Sequence, residues 1–180
     1  MFYLFLADGF EEVEALATLD VLRRAGIEAV TVGVTGKTVT GSHGIPVVSD
    51  KGIDEVAPAD AFDGVILPGG MPGTKYLNAS KKVHAFLDEA QVRGSWICAI
   101  CAAPMILGQR GMLQGRQAVC FPGFEPELRG ATVPELYVCR DGNYITGKGM
   151  GSAIQFGLAI VAAVKGPQAA AALEATLQCA

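Results

Sequence analysis

Short apolar runs alternate with helix-length segments along this chain, and no other feature constrains its fold as tightly. Phe2 to Ala7, Ala29 to Val34, Phe62 to Leu67 and Trp96 to Ile100 are brief and rich in apolar residues, as buried strands are. Helical stretches follow the same order: Glu11 to Ala25, about Ser80 to Val92, Ser152 to Val164 and Gln168 to Leu177. The first has Glu11, Glu12 and Glu14 in its opening turn, Arg23 and Arg24 in its last and Gly26 beyond, so both ends match the helix dipole. The alternation predicts an α/β fold: a mostly parallel sheet with helices on both faces and a site beyond the carboxyl ends of its strands. Thr38 to Thr40 and Ile45 to Val48 pair with each other or with a sheet edge through the Gly41 to Gly44 turn. Val119 and Cys120, Tyr137 to Cys139 and Tyr144 to Thr146 are predicted as further short strands, the last two around the Asp141-Gly142 turn.

The chain of 180 residues has no linker-like break in composition and fits one domain over residues 1–180. Its 14 basic and 18 acidic residues give a net charge of −4 with no basic cluster, which argues against nucleic acid and anionic membranes as partners. The opening MFYLFLADGFEE has no positive flank and too short an apolar stretch for a signal segment, so it is predicted as the first strand of a cytoplasmic protein. Five scattered cysteines, an odd number, do not form a secreted disulfide framework, and reduced thiols are expected. Hydrophobic content of 51% and a first helix apolar around most of its circumference suggest a partner subunit opposite the sheet.

Within this frame, Cys101 falls on the turn between the strand Trp96 to Ile100 and a helix beginning at Ala102. A sharp strand-to-helix turn lifts a nucleophile clear of the sheet, and the free N–H groups of the new helix favour its thiolate. A free cysteine is just as often a small buried apolar residue, and the elbow alone leaves both readings open. Two other turns lie on the same edge, Asp8-Gly9-Phe10 and Pro68 to Gly73. Gly69-Gly70-Met71 would let backbone N–H groups approach a ligand or a developing oxyanion, and an ordinary strand exit accounts for the glycines equally well. Which of Glu11, Glu12 and Glu14 reaches the cysteine is not decided by spacing, since all three also compensate the helix N-terminus.

Other motifs carry less. Cys98 and Cys101 form a C-x-x-C, but three steps along an extended strand separate their Cα atoms by ~10 Å, beyond the roughly 7 Å limit for a disulfide, so Cys98 is expected in the core. With only His43 and His84, no metal site is assigned. The Gly36-Lys37-Thr38 run and the Gly147, Gly149, Gly151 series lack the spacing of nucleotide-binding loops. Neither histidine is placed beside Cys101, as a cysteine hydrolase would require.

The segments LADGFEEVEALATLDVLRRAGI, VILPGGMPG, AICAAP and the region from Gly147 to Ile160 resemble the DJ-1/PfpI superfamily, in its DJ-1-like branch with a class I glutamine amidotransferase-like fold. The resemblance implies a flavodoxin-like three-layer sandwich and a homodimer built partly on the first helix. It also implies Cys101 as the reactive cysteine, Glu14 as its protonated carboxyl partner and N–H groups near Gly70 and Ala102 as an oxyanion pocket. Four residues depart from the pattern. Ala102 stands where PfpI-type hydrolases carry histidine, which argues against a protease or amidase. Phe121 precedes Pro122 where many DJ-1-like members have histidine. Met150 replaces a proline, and His43 an arginine, near the pocket.

On that resemblance the expected activity is cofactor-independent. Cys101 adds to a small reactive carbonyl such as methylglyoxal, or to its thiol and amine adducts, as a glyoxalase or deglycase would, with Glu14 relaying the proton. Alternatives are a redox sensor or chaperone that works through oxidation of Cys101, and a member labelled with thiamine or thiazole biosynthesis.

Overall fold

The computed structural model describes residues 1–179. Its parallel strands β1 (Phe2–Leu6), β2 (Ala29–Gly33), β6 (Gly64–Leu67) and β7 (Trp96–Ile100) fall where the apolar runs predict them. β3 (Thr38–Thr40) and β4 (Pro46–Val48) form a separate antiparallel pair, and β5 (Lys51–Gly52) adds an edge to the main sheet. β8 (Val138–Asp141) and β9 (Tyr144–Gly147) complete that sheet in the order β5-β2-β1-β6-β7-β9-β8, antiparallel only between the last two.

Alternation along the strands sends side chains to two separate cores. Tyr3, Phe5, Val65, Leu67, Ile97 and Ala99 pack beneath α2 (Gly73–Ala79), α3 (Lys81–Arg93) and α4 (Pro104–Gln109). Phe2, Leu4, Leu6, Ile66, Cys98 and Ile100 face α1 (Glu12–Arg24), α5 (Ala153–Lys165) and α6 (Pro167–Leu177). The result is the α/β sandwich with helices on both faces that the sequence predicts, with Cys98 fully buried in one core.

Four expectations change. Val119 and Cys120 form no strand: β9 beside them already has β7 and β8 on its two edges, and the Val119 N–H donates to the Thr146 side chain instead. The chain makes a turn from Cys101 to Ala103 before α4 begins at Pro104. The short α2 and β5 are additions to the predicted elements, being too brief to carry a hydrophobic period. Finally, part of the second apolar face of α1 is covered within the chain by α5. Gly157 there lets the helices close in, since a Cβ at that position would sit 3.0 Å from Val21 Cβ.

Candidate active site

Main-chain hydrogen bonds lace together the turns at the carboxyl edge of β1 and β6 and tie the turn after β7 to the end of β9. Glu11 N–H donates to Gly69 O (2.9 Å), Gly73 N–H to Gly9 O (3.2 Å) and Cys101 N–H to Gly147 O (2.9 Å). Cys101 has φ of 64°, in the left-handed region, which costs a non-glycine residue on the order of 1–3 kcal/mol and marks a held elbow. Its thiol is half-buried, and the backbone N–H groups of Gly70 and Ala102 are near enough to favour its charged form. These are the two positions expected to supply oxyanion donors.

α1 starts directly above β1, and its first turn delivers Glu14 to the same spot. Only 1% of Glu14 is exposed; its Oε2 accepts from Gly69 N–H at 2.9 Å, and its carboxyl lies beside the Cys101 thiol across Gly69. Glu14 Oε1 is buried with no partner. Gly69 makes the arrangement possible. A Cβ there would lie 2.5 Å from Cys101 Cβ and 2.7 Å from Glu14 Oε2. The glycine pair after the strand was visible in sequence, but that Gly69 leaves room for both acids and donates to the Glu14 carboxyl was not.

The electrostatics differ from those of an isolated elbow. Burial pushes Glu14 up to about 7, aided by the charge of Glu11 and opposed by its bonds to Cys101 and Gly69. Burial and the Glu14 carboxylate likewise push the Cys101 thiol up to about 12, against the pull of the Gly70 and Ala102 N–H groups. The N–H groups alone were expected to favour a thiolate, and burial of the thiol together with the Glu14 carboxylate reverses that. Two anions in contact repel, so thiol and carboxyl titrate as a pair. Above about pH 7 the pair holds one proton and one negative charge.

The neighbouring carboxylates have other work. Glu11 caps α1 by accepting from Glu14 N–H at 2.6 Å. Glu12 is buried against the turn between β3 and β4, accepting from His43 N–H at 2.7 Å and meeting His43 Nδ1 at 2.8 Å. Burial opposes the charge on Glu12, yet the bonds from His43 bring its carboxyl down to about 2. Glu11, Glu12 and His43 place ligand atoms within 4.8 Å of one another, as a metal ion would need, but both Glu12 oxygens are already engaged with His43 and Ser42. His84 lies on α3, bonded to Asn78 Oδ1 at 3.3 Å, so the hydrogen bonds of neither histidine involve Cys101. Phe121 and Met150 line a groove beside the elbow.

A family model described as the DJ-1/PfpI family matches residues 2–163. The chain belongs to the DJ-1/PfpI family. It is 37% identical to the protein dj-1beta of Drosophila melanogaster over 166 residues, covering 91% of this chain and 88% of the fly protein. A solved structure of oxidized Toxoplasma gondii DJ-1 superposes with a TM-score of 0.95 at 34% identity, covering 99% of this chain and 98% of that one. A Pyrococcus abyssi protein named as a deglycase is 31% identical over 144 residues, covering 79% of this chain and 86% of its own length. These likenesses place the chain in the DJ-1-like branch. Among the described residues, no helix is long and apolar enough to cross a membrane.

Proposed function

We propose that this DJ-1/PfpI protein is a cysteine-dependent enzyme acting on small reactive carbonyls or their adducts, with Cys101 as nucleophile and Glu14 as its acid and base. The observation that carries the reading is the contact of a buried carboxyl and an elbow thiol under two converging N–H groups. In the proposed reaction with methylglyoxal, Glu14 takes the thiol proton as sulfur bonds to the aldehyde carbon. The new oxyanion lies against the N–H groups of Gly70 and Ala102 and takes the proton back from Glu14, giving a hemithioacetal. Glu14 then moves a proton from the former aldehyde carbon to the neighbouring carbon through an enediol. The aldehyde carbon is thereby oxidised to a thioester and the ketone reduced to an alcohol. Water cleaves the thioester to lactate and restores the thiol. Addition at a glycated thiol or amine follows the same first step, and the deglycase name of the archaeal relative supports that branch. No metal or cofactor is needed for any of these steps.

A second reading, oxidation of Cys101 as a signal, draws on the relative described as oxidized. Methylglyoxal consumption and lactate release by wild type beside Cys101→Ser separate the two. Turnover lost in the variant supports the enzyme, and equal rates in both proteins refute it. We further propose a homodimer. Val13 on α1, Ile45 and Val48 at the β3–β4 hairpin and Ile154 on α5 are exposed apolar side chains, and a two-fold contact would bury them. With five free cysteines, a reducing cytoplasm is the fitting compartment.

A further inference from the structure

Beside the elbow lies a groove of about 480 Å³ whose lining includes Phe121, Tyr137, Lys148, Met150 and Gln155. Its two walls are anchored on the peptide groups of Cys101 itself. The Cys101 carbonyl accepts from Phe121 N–H at 2.8 Å, and the Cys101 N–H donates to Gly147 O, two residues before Gly149. The Phe121 ring closes over that second wall, 3.2 Å from where a Cβ on Gly149 would stand. Lys148 lies over the Tyr137 ring at the rim, its Nζ 5.6 Å from the centroid, keeping its charge at the edge and its stem over apolar surface.

We infer that this groove is a substituent subsite, and that the carbonyl compounds suited to Cys101 carry an aromatic or bulky apolar group next to the reacting carbonyl. The inference rests on Cys101 being the nucleophile proposed above. A two-carbon dicarbonyl unit needs only the thiol, Glu14 and the two N–H donors. A methyl group leaves the groove full of water over a Phe121 that is 47% exposed and a Met150 that is 54% exposed. A volume near 480 Å³ lies in the range that holds a sizeable organic ligand. Phe121 offers a face for ring stacking, and the unbranched thioether of Met150 adapts to the shape laid against it.

The test needs no turnover. Purified protein is alkylated with 2-bromoacetophenone and, separately, with bromoacetone, which differ only in phenyl against methyl. In each case sulfur bonds to the methylene carbon, bromide leaves and the thiol proton is lost. Rates at Cys101 are followed by intact mass and peptide mapping, and the phenyl-to-methyl ratio is divided by the same ratio for N-acetylcysteine. A filled apolar subsite should raise that quotient at least about tenfold, the discrimination a hydrophobic pocket gives for one or more carbons. It should fall toward unity in Phe121→Ser and in Met150→Ser. A wild-type quotient near unity overturns the subsite, as it would if a second copy covered the groove, and so does a raised quotient that neither variant changes. A raised quotient sensitive to the variants, in a protein that does not consume methylglyoxal, keeps the subsite and removes only the proposed turnover of that compound. Methylglyoxal turnover with a quotient near unity does the reverse.

Discussion

Replacing Glu14 with glutamine should stabilise the fold at neutral and alkaline pH while removing turnover. The carboxamide keeps the shape and an acceptor for the Gly69 N–H, but it has no charge to bury. Glu14 is raised from its ordinary 4.5 to about 7, so the folded protein holds its proton more tightly than the unfolded chain does. For a raised pKa the stabilising contribution is complete below the unfolded value and disappears as pH climbs through the folded one. At 1.36 kcal/mol per unit, wild type forfeits about 3 kcal/mol between pH 4.5 and a plateau above about 7, a loss the variant does not share. Groups common to both proteins cancel in the difference. Urea unfolding of the pair at pH 4.5 and pH 8, at one fixed protomer concentration, measures it. The stability gap in favour of Glu14→Gln should widen by about 3 kcal/mol from the lower to the higher pH. A gap that is constant with pH would mean that Glu14 ionises as freely in the fold as in water, and the coupled thiol–carboxyl pair would have to be abandoned.

The remaining expectations concern the same constellation and the apolar face. Iodoacetamide labelling of Cys101 should rise with pH through an inflection near 7, where the pair loses its first proton; Glu14→Gln should lose that inflection, and an unchanged profile would exclude the coupling. Gly69→Ala should abolish turnover and cost about 1–3 kcal/mol in a denaturation midpoint measurement, because its Cβ would press on both Cys101 and Glu14. Light scattering at micromolar concentration should give twice the 18.7 kDa protomer mass, and Val48→Glu on the exposed hairpin should lower it; a wild-type value of one protomer would refute the dimer.

Local regularities along the sequence made most of the framework legible. The apolar runs have strand length, the acidic first turn and trailing arginines define α1, and Ser80 and Gly94 bound α3 as its caps. Each of these signals depends on side-chain spacing or on one residue's backbone preference, so it survives without knowledge of distant neighbours. The elbow at Cys101 was legible for the same reason, as the point where a strand pattern gives way to a helix pattern. Family resemblance then singled out Glu14, which spacing alone left level with Glu11 and Glu12.

Only the tertiary structure gave those three carboxylates separate partners, with Glu11 at the helix cap, Glu12 in the His43 turn and Glu14 against the thiol. It also left Val119 and Cys120 outside the sheet, bonded to the Thr146 side chain through Val119 N–H, and it set α5 against α1. Above all it decided the charge of the site. A helix-side turn promises a depressed cysteine pKa, but burial raises both groups, joined at the thiol by the charge of the Glu14 carboxylate. That reversal depends on the Gly69 N–H bonding a side chain 55 residues away, with no room for a Cβ between the two acids. Periodicity along the chain carries no record of such a contact, because desolvation and charge repulsion are set by what the fold places within a few ångströms.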